Sequence, residues 1–243
     1  MLILGIESAT PQVGCAVGGH EGVLASAHSS RGKRHAEMLT PQIDFVRKQA
    51  RIELSEISVV AVDIGPGLFT GLRVGISAAM ATAFALGVPM IGVSSLDLLA
   101  FPVRHSPRLI VAAIDARRGE VFHAFYRQVP GGVQRITEPA VANPEDLSSE
   151  LLARGEECLL VGDGALRYAD HADDRAVAHG AAIQAVLAFE LLLPQPPAPG
   201  GGIDLCVDRH DRLQMALVDG HDVEAHGRSP VFHETSVASG VRR

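Results

Sequence analysis

The chain has 243 residues, 47% of them hydrophobic, and a formal net charge of −7 at pH 7. Trp is absent and aromatic residues make up only 4%, so Ala, Val, Leu and Ile must fill the interior, which suits a sheet covered by helices. The negative charge disfavours direct binding of nucleic acid, so any role with RNA is expected to need a basic partner.

Targeting segments, membrane spans and cysteine-based sites are all disfavoured. "MLILGIESA" has no basic segment before its apolar run and reaches Glu7 almost at once, so it predicts a strand. No apolar stretch is expected to reach the roughly 18 residues that span a membrane. The three cysteines are far apart and form no C-x-x-C pair, which argues against a disulfide framework or zinc site. We therefore expect a cytoplasmic chain with no membrane partner.

The chain opens with a predicted meander. Short strands separated by turn residues are predicted over Leu2–Glu7, Gly14–Val17 and Gly22–Ala27. Apolar residues at helical spacing then predict a helix over His35–Gln49, in which Pro41 indicates a kink or a break.

Two strand–helix units follow. "ISVVAVDIG" predicts a buried strand, and Thr70–Leu86 predicts a helix that ends at Gly87. "PMIGVSS" predicts a second buried strand, and Ser95–Val103 a short helix. The order β-β-β-α-β-α-β is similar to the first lobe of the actin/Hsp70/sugar-kinase (ASKHA) superfamily, an RNase H-like core. We therefore predict an α/β fold with a mixed sheet and helices on both faces.

A second, shortened lobe is predicted after residue 105. Two strands joined at a charged turn are expected within Leu109–Arg127, and a helix capped by Asn143 is expected to end at Gly155. "ECLLVGDGA" predicts a strand and a tight turn, and His179–Leu193 predicts a helix. The expected division is an N-terminal lobe over 1–105, a shorter lobe over 106–193, and a linker with an unplaced tail over 194–243.

The tail has a different composition. "PQPPAPGGG" is typical of a linker. Beyond it, only "IDLCV" and "RLQMALV" have the character of short strands, and neither can be fitted into the core from the sequence.

"VDIGPGLFTGLR" looks at first like a phosphate-binding turn. It lacks the spacing and the Lys-Ser/Thr pair of a P-loop, and it lacks the third glycine of a dinucleotide-binding motif. A helix N-terminus that binds an anion remains one reading. The other is a rigid turn that shapes an interface, formed by Gly65, Pro66, Gly67, Thr70 and Arg73.

Small residues recur at three- and four-residue spacing along the following helix. Two glycines inside a helix are unfavourable unless something must approach closely. We predict that this smooth face contacts either an internal helix or another subunit, with help from the preceding helix. The predicted interface residues are Gly71, Gly75, Ala78, Ala79, Thr82, His35 and Leu39.

Two further turns are weak candidates for a vestigial nucleotide site. Glu7 and Ser8 follow the first strand, where a nucleotide-hydrolysing relative of this fold would place an Asp. Gly162, Asp163 and Gly164 form the second turn. A purely structural role is favoured for the first turn, no metal site is predicted, and no nucleophile-elbow motif occurs.

Four stretches resemble the TsaB family: "LILGIESAT", "RHAEMLTPQID", "VDIGPGLFTGLRVGISAAMATAFALGVPMIGVSSLDLLA" and "AIDARRGEVFHAFY". The resemblance extends from Leu2 to about Leu193. The chain departs from the family pattern after that point, where no segment similar to P-x-Y-L-R appears.

The resemblance implies an ASKHA-fold, non-catalytic subunit of the machinery that makes threonylcarbamoyladenosine on tRNAs reading codons that start with A. It implies a TsaD-like catalytic partner, a TsaE-like ATPase, indirect contact with tRNA, and no cofactor. In the partner's absence, the same face is expected to form a homodimer. The alternatives are an ATP-dependent kinase of this fold that uses Glu7 and Gly162–Gly164, and a TsaD-like metallopeptidase.

Overall fold

A computed structural model describes residues 1–30 and 35–168, together with the backbone of two short strands at 176–179 and 216–217. The strands are β1 (Leu2–Glu7), β2 (Val13–Gly19), β3 (Gly22–Ser29), β4 (Ile57–Gly65), β5 (Met90–Ser94), β6 (Leu109–Arg117), β7 (Glu120–Val129), β8 (Gly132–Arg135), β9 (Ala140–Ala142), β10 (Cys158–Val161), β11 (Ala176–His179) and β12 (Ala216–Leu217). The α-helices are α1 (His35–Ala50), α2 (Phe69–Leu86), α3 (Ser95–Ala100), α4 (Pro144–Arg154) and α5 (Asp163–Arg167).

The first sheet has the strand order β12-β5-β4-β1-β2-β3. Strands β1, β2 and β3 form an antiparallel meander, whereas β4 pairs in parallel with β1 and β5 pairs in parallel with β4. The predicted meander followed by two crossover units is therefore confirmed, and the order of the first five strands is that of an RNase H-like core. The short β12, which lies within "RLQMALV", pairs with the outer edge of β5.

The second sheet has the order β11-β10-β6-β7-β8, and β9 also pairs with β7. β6 and β7 form an antiparallel hairpin, and β10 and β11 extend the sheet in parallel. The sequence predicted the hairpin, α4 and β10. It missed β8 and β9, because these strands are three or four residues long and show no alternating pattern.

The two sheets face each other across a shared core. Side chains from β1, β4, β5, β6 and β7 form one apolar cluster with Leu96, Leu98 and Leu99 of α3. A second cluster lies between the opposite face of the first sheet and helices α1 and α2, and a third lies between the second sheet and helices α4 and α5. The mixed α/β architecture with helices on both faces of the first sheet is therefore confirmed.

Two predictions of local structure need correction, and two others fall on residues that the structure does not describe. Helix α1 continues through Pro41, so the predicted break is wrong. The "GDGA" stretch does not remain a turn, because Asp163 begins the short helix α5. The helix predicted over His179–Leu193 lies outside the described residues except for His179, which ends β11. The linker predicted at 194–202 also lies outside them.

Among the described residues, α2 is long and apolar enough to cross a membrane by length and composition alone. Its 18 residues have a mean hydropathy of 1.4, although Arg73 interrupts the apolar run. In the fold, α2 packs on β4 through its small residues Gly71, Gly75, Ala79 and Ala83. The high hydropathy therefore reflects a helix that is apolar on its outer side as well as on the side that packs on the sheet.

Candidate functional site

The Gly65–Gly67 turn joins β4 to α2 and holds the loop that follows β1. The Gly65 N–H donates to Asp63 Oδ1 at 2.8 Å, and the Gly65–Pro66 peptide bond is cis. The Leu68 N–H donates to the carbonyl of Ala9 at 2.6 Å, and a Cβ at Gly67 would overlap that same carbonyl. The turn thus packs backbone against backbone on the β1–β2 loop.

The glycines of α2 face the same loop. The Ser8 hydroxyl is fully buried and donates to the Gly71 carbonyl at 2.8 Å. A Cβ at Gly71 would overlap the Ser8 carbonyl, and one at Gly75 would overlap Ser8 Oγ. The close approach that required two glycines is therefore made by an internal loop, and neither a helix nor another subunit makes it.

The predicted docking face is consequently not the exposed face of α2. Gly71, Gly75 and Ala79 are buried, and Leu39 of α1 lies in the core beneath the helices. Ala78 and Thr82 are half-buried, and the Thr82 hydroxyl bonds back to the Ala78 carbonyl within the helix. His35 begins α1, and its Nε2 lies 2.9 Å from the Thr10 carbonyl, on the other side of the same loop. Most of these predicted interface residues therefore face the interior of the chain.

The exposed face of α2 is apolar and was missed by the sequence reading. Phe69 is 72% exposed, Met80 42% and Phe84 80%. Arg73 is the only charged residue of the helix, and its guanidinium lies 5.5 Å from the Phe69 ring centroid. We call Phe69, Arg73, Met80 and Phe84 the α2 outer stripe. They follow one another at intervals of four, seven and four residues, which places them on one side of the helix. That helical period was readable in the sequence, but the glycine pattern drew attention to the opposite side.

Two carboxyl groups are buried at the ends of the adjacent strands β1 and β4. Glu7 Oε1 accepts from both the N–H and the hydroxyl of Thr10, at 3.1 and 3.2 Å. Asp63 Oδ1 accepts from the Ser95 hydroxyl at 2.5 Å, whereas its Oδ2 has no hydrogen-bond partner among the described residues. Burial, together with the neighbouring Asp63, raises the pKa of Glu7 to about 8. Burial also raises the pKa of Asp63 to about 7.

The first candidate turn is engaged in internal contacts. Thr10 donates to Glu7, and burial beside Asp63 favours the protonated form of Glu7 while no cation lies next to it. The Ser8 hydroxyl is already used by Gly71. Within residues 1–30 and 35–168, no three His, Cys, Asp or Glu side chains are grouped so that they could hold a metal ion.

The second candidate turn packs on β6 and α3. A Cβ at Gly162 would overlap the Ala113 carbonyl and come close to Leu99, and one at Gly164 would crowd the Ala113 and Ile114 backbone. Asp163 Oδ1 accepts from the Asp115 N–H at 3.1 Å. Helix α3 contacts both regions, because its Ser95 hydroxyl donates to Asp63 and its Leu99 side chain lies against Gly162. Its side chains therefore lie between the turn after β1 and the turn at Gly162–Gly164.

The packing at Gly75 predicts an unusual response to alanine. In an exposed helix Gly→Ala stabilises by about 1 kcal/mol, but here the added methyl meets Ser8 Oγ. We expect Gly75→Ala to lower the free energy of unfolding by about 1–3 kcal/mol, measured by urea denaturation.

A double-mutant cycle with Ser8→Ala identifies the cause. Removing Ser8 Oγ should recover part of the loss caused by Gly75→Ala, giving a favourable coupling energy. Gly132→Ala, at a site with open space around it, is the control. Strictly additive effects of Ser8→Ala and Gly75→Ala would contradict this account of the packing.

The buried carboxyl groups predict that stability falls as pH rises. Between about pH 4.5 and 8 the folded chain retains at Glu7 a proton that the unfolded chain releases, so the free energy of unfolding decreases through this window. Glu7→Gln keeps an oxygen for Thr10 but does not titrate. Its loss of stability from pH 5 to pH 8 should therefore be smaller than that of the wild type, by on the order of a few kcal/mol.

Urea denaturation at both pH values measures this difference. The exposed Glu21→Gln is the control for removal of one carboxyl group. A pH dependence that Glu7→Gln leaves unchanged would show that Glu7 is ionised in the folded chain.

Comparison with known proteins gives one family. The family model described as TsaD, tRNA N6-adenosine threonylcarbamoyltransferase, matches residues 23–171. A Mycobacterium leprae protein is 41% identical to this chain, and the matched region covers 60% of this chain and 40% of that protein. The tRNA threonylcarbamoyladenosine biosynthesis protein TsaB of Escherichia coli is 32% identical over 68% of this chain and 72% of its own length. For TsaB of Bacillus subtilis, this chain covers 59% of the relative.

A solved structure agrees with these matches. YeaZ from Pseudomonas aeruginosa superimposes with a TM-score of 0.69 at 28% identity, covering 78% of this chain and 89% of that one. The fold, the family-model match and the identity with E. coli TsaB lead to the same conclusion: the chain belongs to the TsaB family.

Proposed function

We propose that this chain is a non-catalytic subunit of the cytoplasmic machinery that makes threonylcarbamoyladenosine on tRNA, and that it supports a TsaD-like transferase. The assignment to threonylcarbamoyladenosine synthesis follows from membership of the TsaB family. The observation that carries the scaffold role is the α2 outer stripe, an apolar surface on a helix with a single charge.

The α2 outer stripe has the properties of a protein-docking surface. Aromatic residues and Arg dominate the energetics of protein interfaces, and this stripe presents two Phe side chains and one Arg. From Phe69 to Phe84 it extends about 22 Å at the rise of an α-helix. The exposed small residues Ala81 and Ala85 beside it allow a facing helix to approach closely.

The stripe is also held rigidly. The opposite side of α2 packs on the sheet and on Ser8, which fixes the rotation of the helix about its axis. A preorganised surface loses little conformational entropy on binding, which favours a stable complex. We propose that the TsaD-like subunit binds here, that a second copy of the chain occupies the stripe when that subunit is absent, and that a TsaE-like ATPase joins the complex.

The two enzymatic alternatives receive no support from the site. A kinase of this fold needs open phosphate turns, whereas both candidate turns are packed against neighbouring backbone. A metallopeptidase needs a metal site, which the described part of the chain does not offer. We expect the purified chain to show neither ATPase nor peptidase turnover.

The docking surface is tested by Phe84→Asp. Placing a charge in an apolar interface should weaken binding of the TsaD-like partner by about 30-fold or more, as loss of a hot-spot residue does. Because Phe84 is 80% exposed, the circular dichroism spectrum and the free energy of unfolding should stay close to wild type. Co-purification and isothermal titration with the partner measure the effect.

Leu152→Asp is the matched control, since Leu152 is an exposed apolar residue on α4, which packs on the second sheet. In cells that depend on this chain, Phe84→Asp should lower the threonylcarbamoyladenosine content of tRNA, measured by mass spectrometry, and Leu152→Asp should not. Full modification and unchanged partner binding by a folded Phe84→Asp chain would refute the proposed surface.

A further inference from the structure

The tip of the β6–β7 hairpin is built from arginines in an unfavourable backbone conformation. Arg117, Arg118 and Gly119 have φ values of 64°, 56° and 82°. Since Arg117 pairs with Glu120, the loop contains only Arg118 and Gly119. Two-residue hairpin loops of this kind favour Asn or Gly at the first position because left-handed backbone is costly for other residues. The hairpin would be more stable with another residue in place of Arg118.

A buried carboxylate beneath the tip holds two guanidinium groups together. Asp115 has a side-chain exposure of 3%, and its Oδ1 accepts from the Arg117 N–H at 2.9 Å. Its Oδ2 lies 3.2 Å from Nη1 of Arg117 and accepts from Nη1 of Arg167 at 2.9 Å. Two like-charged groups are thus fixed side by side on one oxygen atom.

The guanidinium groups keep donors available to solvent. Arg117 and Arg167 have side-chain exposures of 50% and 57%, and each uses only part of a five-donor fork to hold Asp115. Arg118 is exposed and follows Arg117 directly in the loop. Paired guanidinium forks with free N–H groups match the oxygen atoms of a phosphate group.

We propose that Arg117, Arg118 and Arg167, together called the arginine tip, bind phosphate groups of an RNA backbone. The inference rests on the proposed function, in which tRNA is the substrate of the assembly. The arginine tip belongs to the second sheet and α5, whereas the α2 outer stripe lies on the far side of the first sheet. We therefore treat the arginine tip as a surface separate from the α2 outer stripe.

The neighbouring acids limit the strength of this contact. The charge of Asp115 is balanced by its ion pairs with Arg117 and Arg167, and Asp163 Oδ1 accepts a hydrogen bond from the Asp115 N–H. Glu120 is exposed at the start of β7 and repels a phosphate. In a chain of net charge −7, we expect RNA contact at this tip to be weak and dependent on salt.

Arg118→Gly separates a binding role from a structural one. The change relieves the left-handed backbone and removes one charge, so the variant should be at least as stable as wild type. Arg51→Gly is the matched control, because Arg51 is also exposed, has a φ of 55° and lies at the end of α1. Both variants lose one positive charge and one strained residue.

The experiment measures binding of a labelled, unmodified tRNA transcript to the full 243-residue chain by fluorescence anisotropy at several salt concentrations. Arg118→Gly should weaken binding about fivefold and reduce the salt slope by about one, because one phosphate contact is lost. Arg51→Gly should bind like wild type, and Glu120→Gln should bind more tightly.

Two results would overturn the proposal directly. One is that Arg118→Gly and Arg51→Gly bind the transcript equally well, and the other is that the wild type shows no salt-dependent binding of the transcript. Displacement of the transcript by ATP at a matched phosphate concentration would assign the tip to a nucleotide instead of RNA, and inorganic phosphate controls for ionic strength. Binding of the TsaD-like partner is measured separately and should be unchanged by Arg118→Gly, so failure of the arginine tip is distinguishable from failure of the scaffold role.

Discussion

The contact between Ser8 and the glycines of α2 is the constraint on which the rest of the candidate site depends. Ser8 lies at the end of β1, and its hydroxyl and carbonyl occupy the space that side chains at Gly75 and Gly71 would fill. This contact sets both the distance of α2 from the sheet and the rotation of the helix. The turn at Gly65–Gly67 and the contact of His35 with Thr10 hold the same loop from two further sides.

Fixing α2 in this way determines which residues reach solvent. With its small residues turned towards the sheet, the helix must direct Phe69, Met80 and Phe84 outwards. Such a surface is costly for an isolated chain, because large exposed apolar patches favour association. The cost is understandable if a partner normally covers the patch.

The same packing closes the loop that follows β1. The α2 backbone lies against this loop, and the Glu7 carboxyl group beside it is buried, which raises its pKa. Helix α3 contributes leucines to the apolar cluster that joins the two sheets. The functional surfaces that we propose, the α2 outer stripe and the arginine tip, both lie outside this interior.

The sequence by itself determined the order of the elements from β1 to α3 and indicated the family. Buried strands such as Ile57–Gly65 are continuous apolar runs, and the ends of α2 and α4 are marked by Gly87 and Gly155, so local signals sufficed. The sequence also showed that two glycines in α2 required a close neighbour, although it left the identity of that neighbour open.

Only the tertiary structure decided which side of α2 faces inwards. Glycine permits close approach from either a subunit or the chain itself, and the two cases have the same local pattern. The choice depends on Ser8, which is 63 residues away from Gly71 along the chain and meets it only because β1 and β4 are adjacent in the sheet. The raised pKa of Glu7 and the convergence of Arg117 and Arg167 on Asp115 likewise arise from distant segments brought together. Non-local burial and non-local charge are properties of the fold, and they decided where the proposed functional surfaces lie.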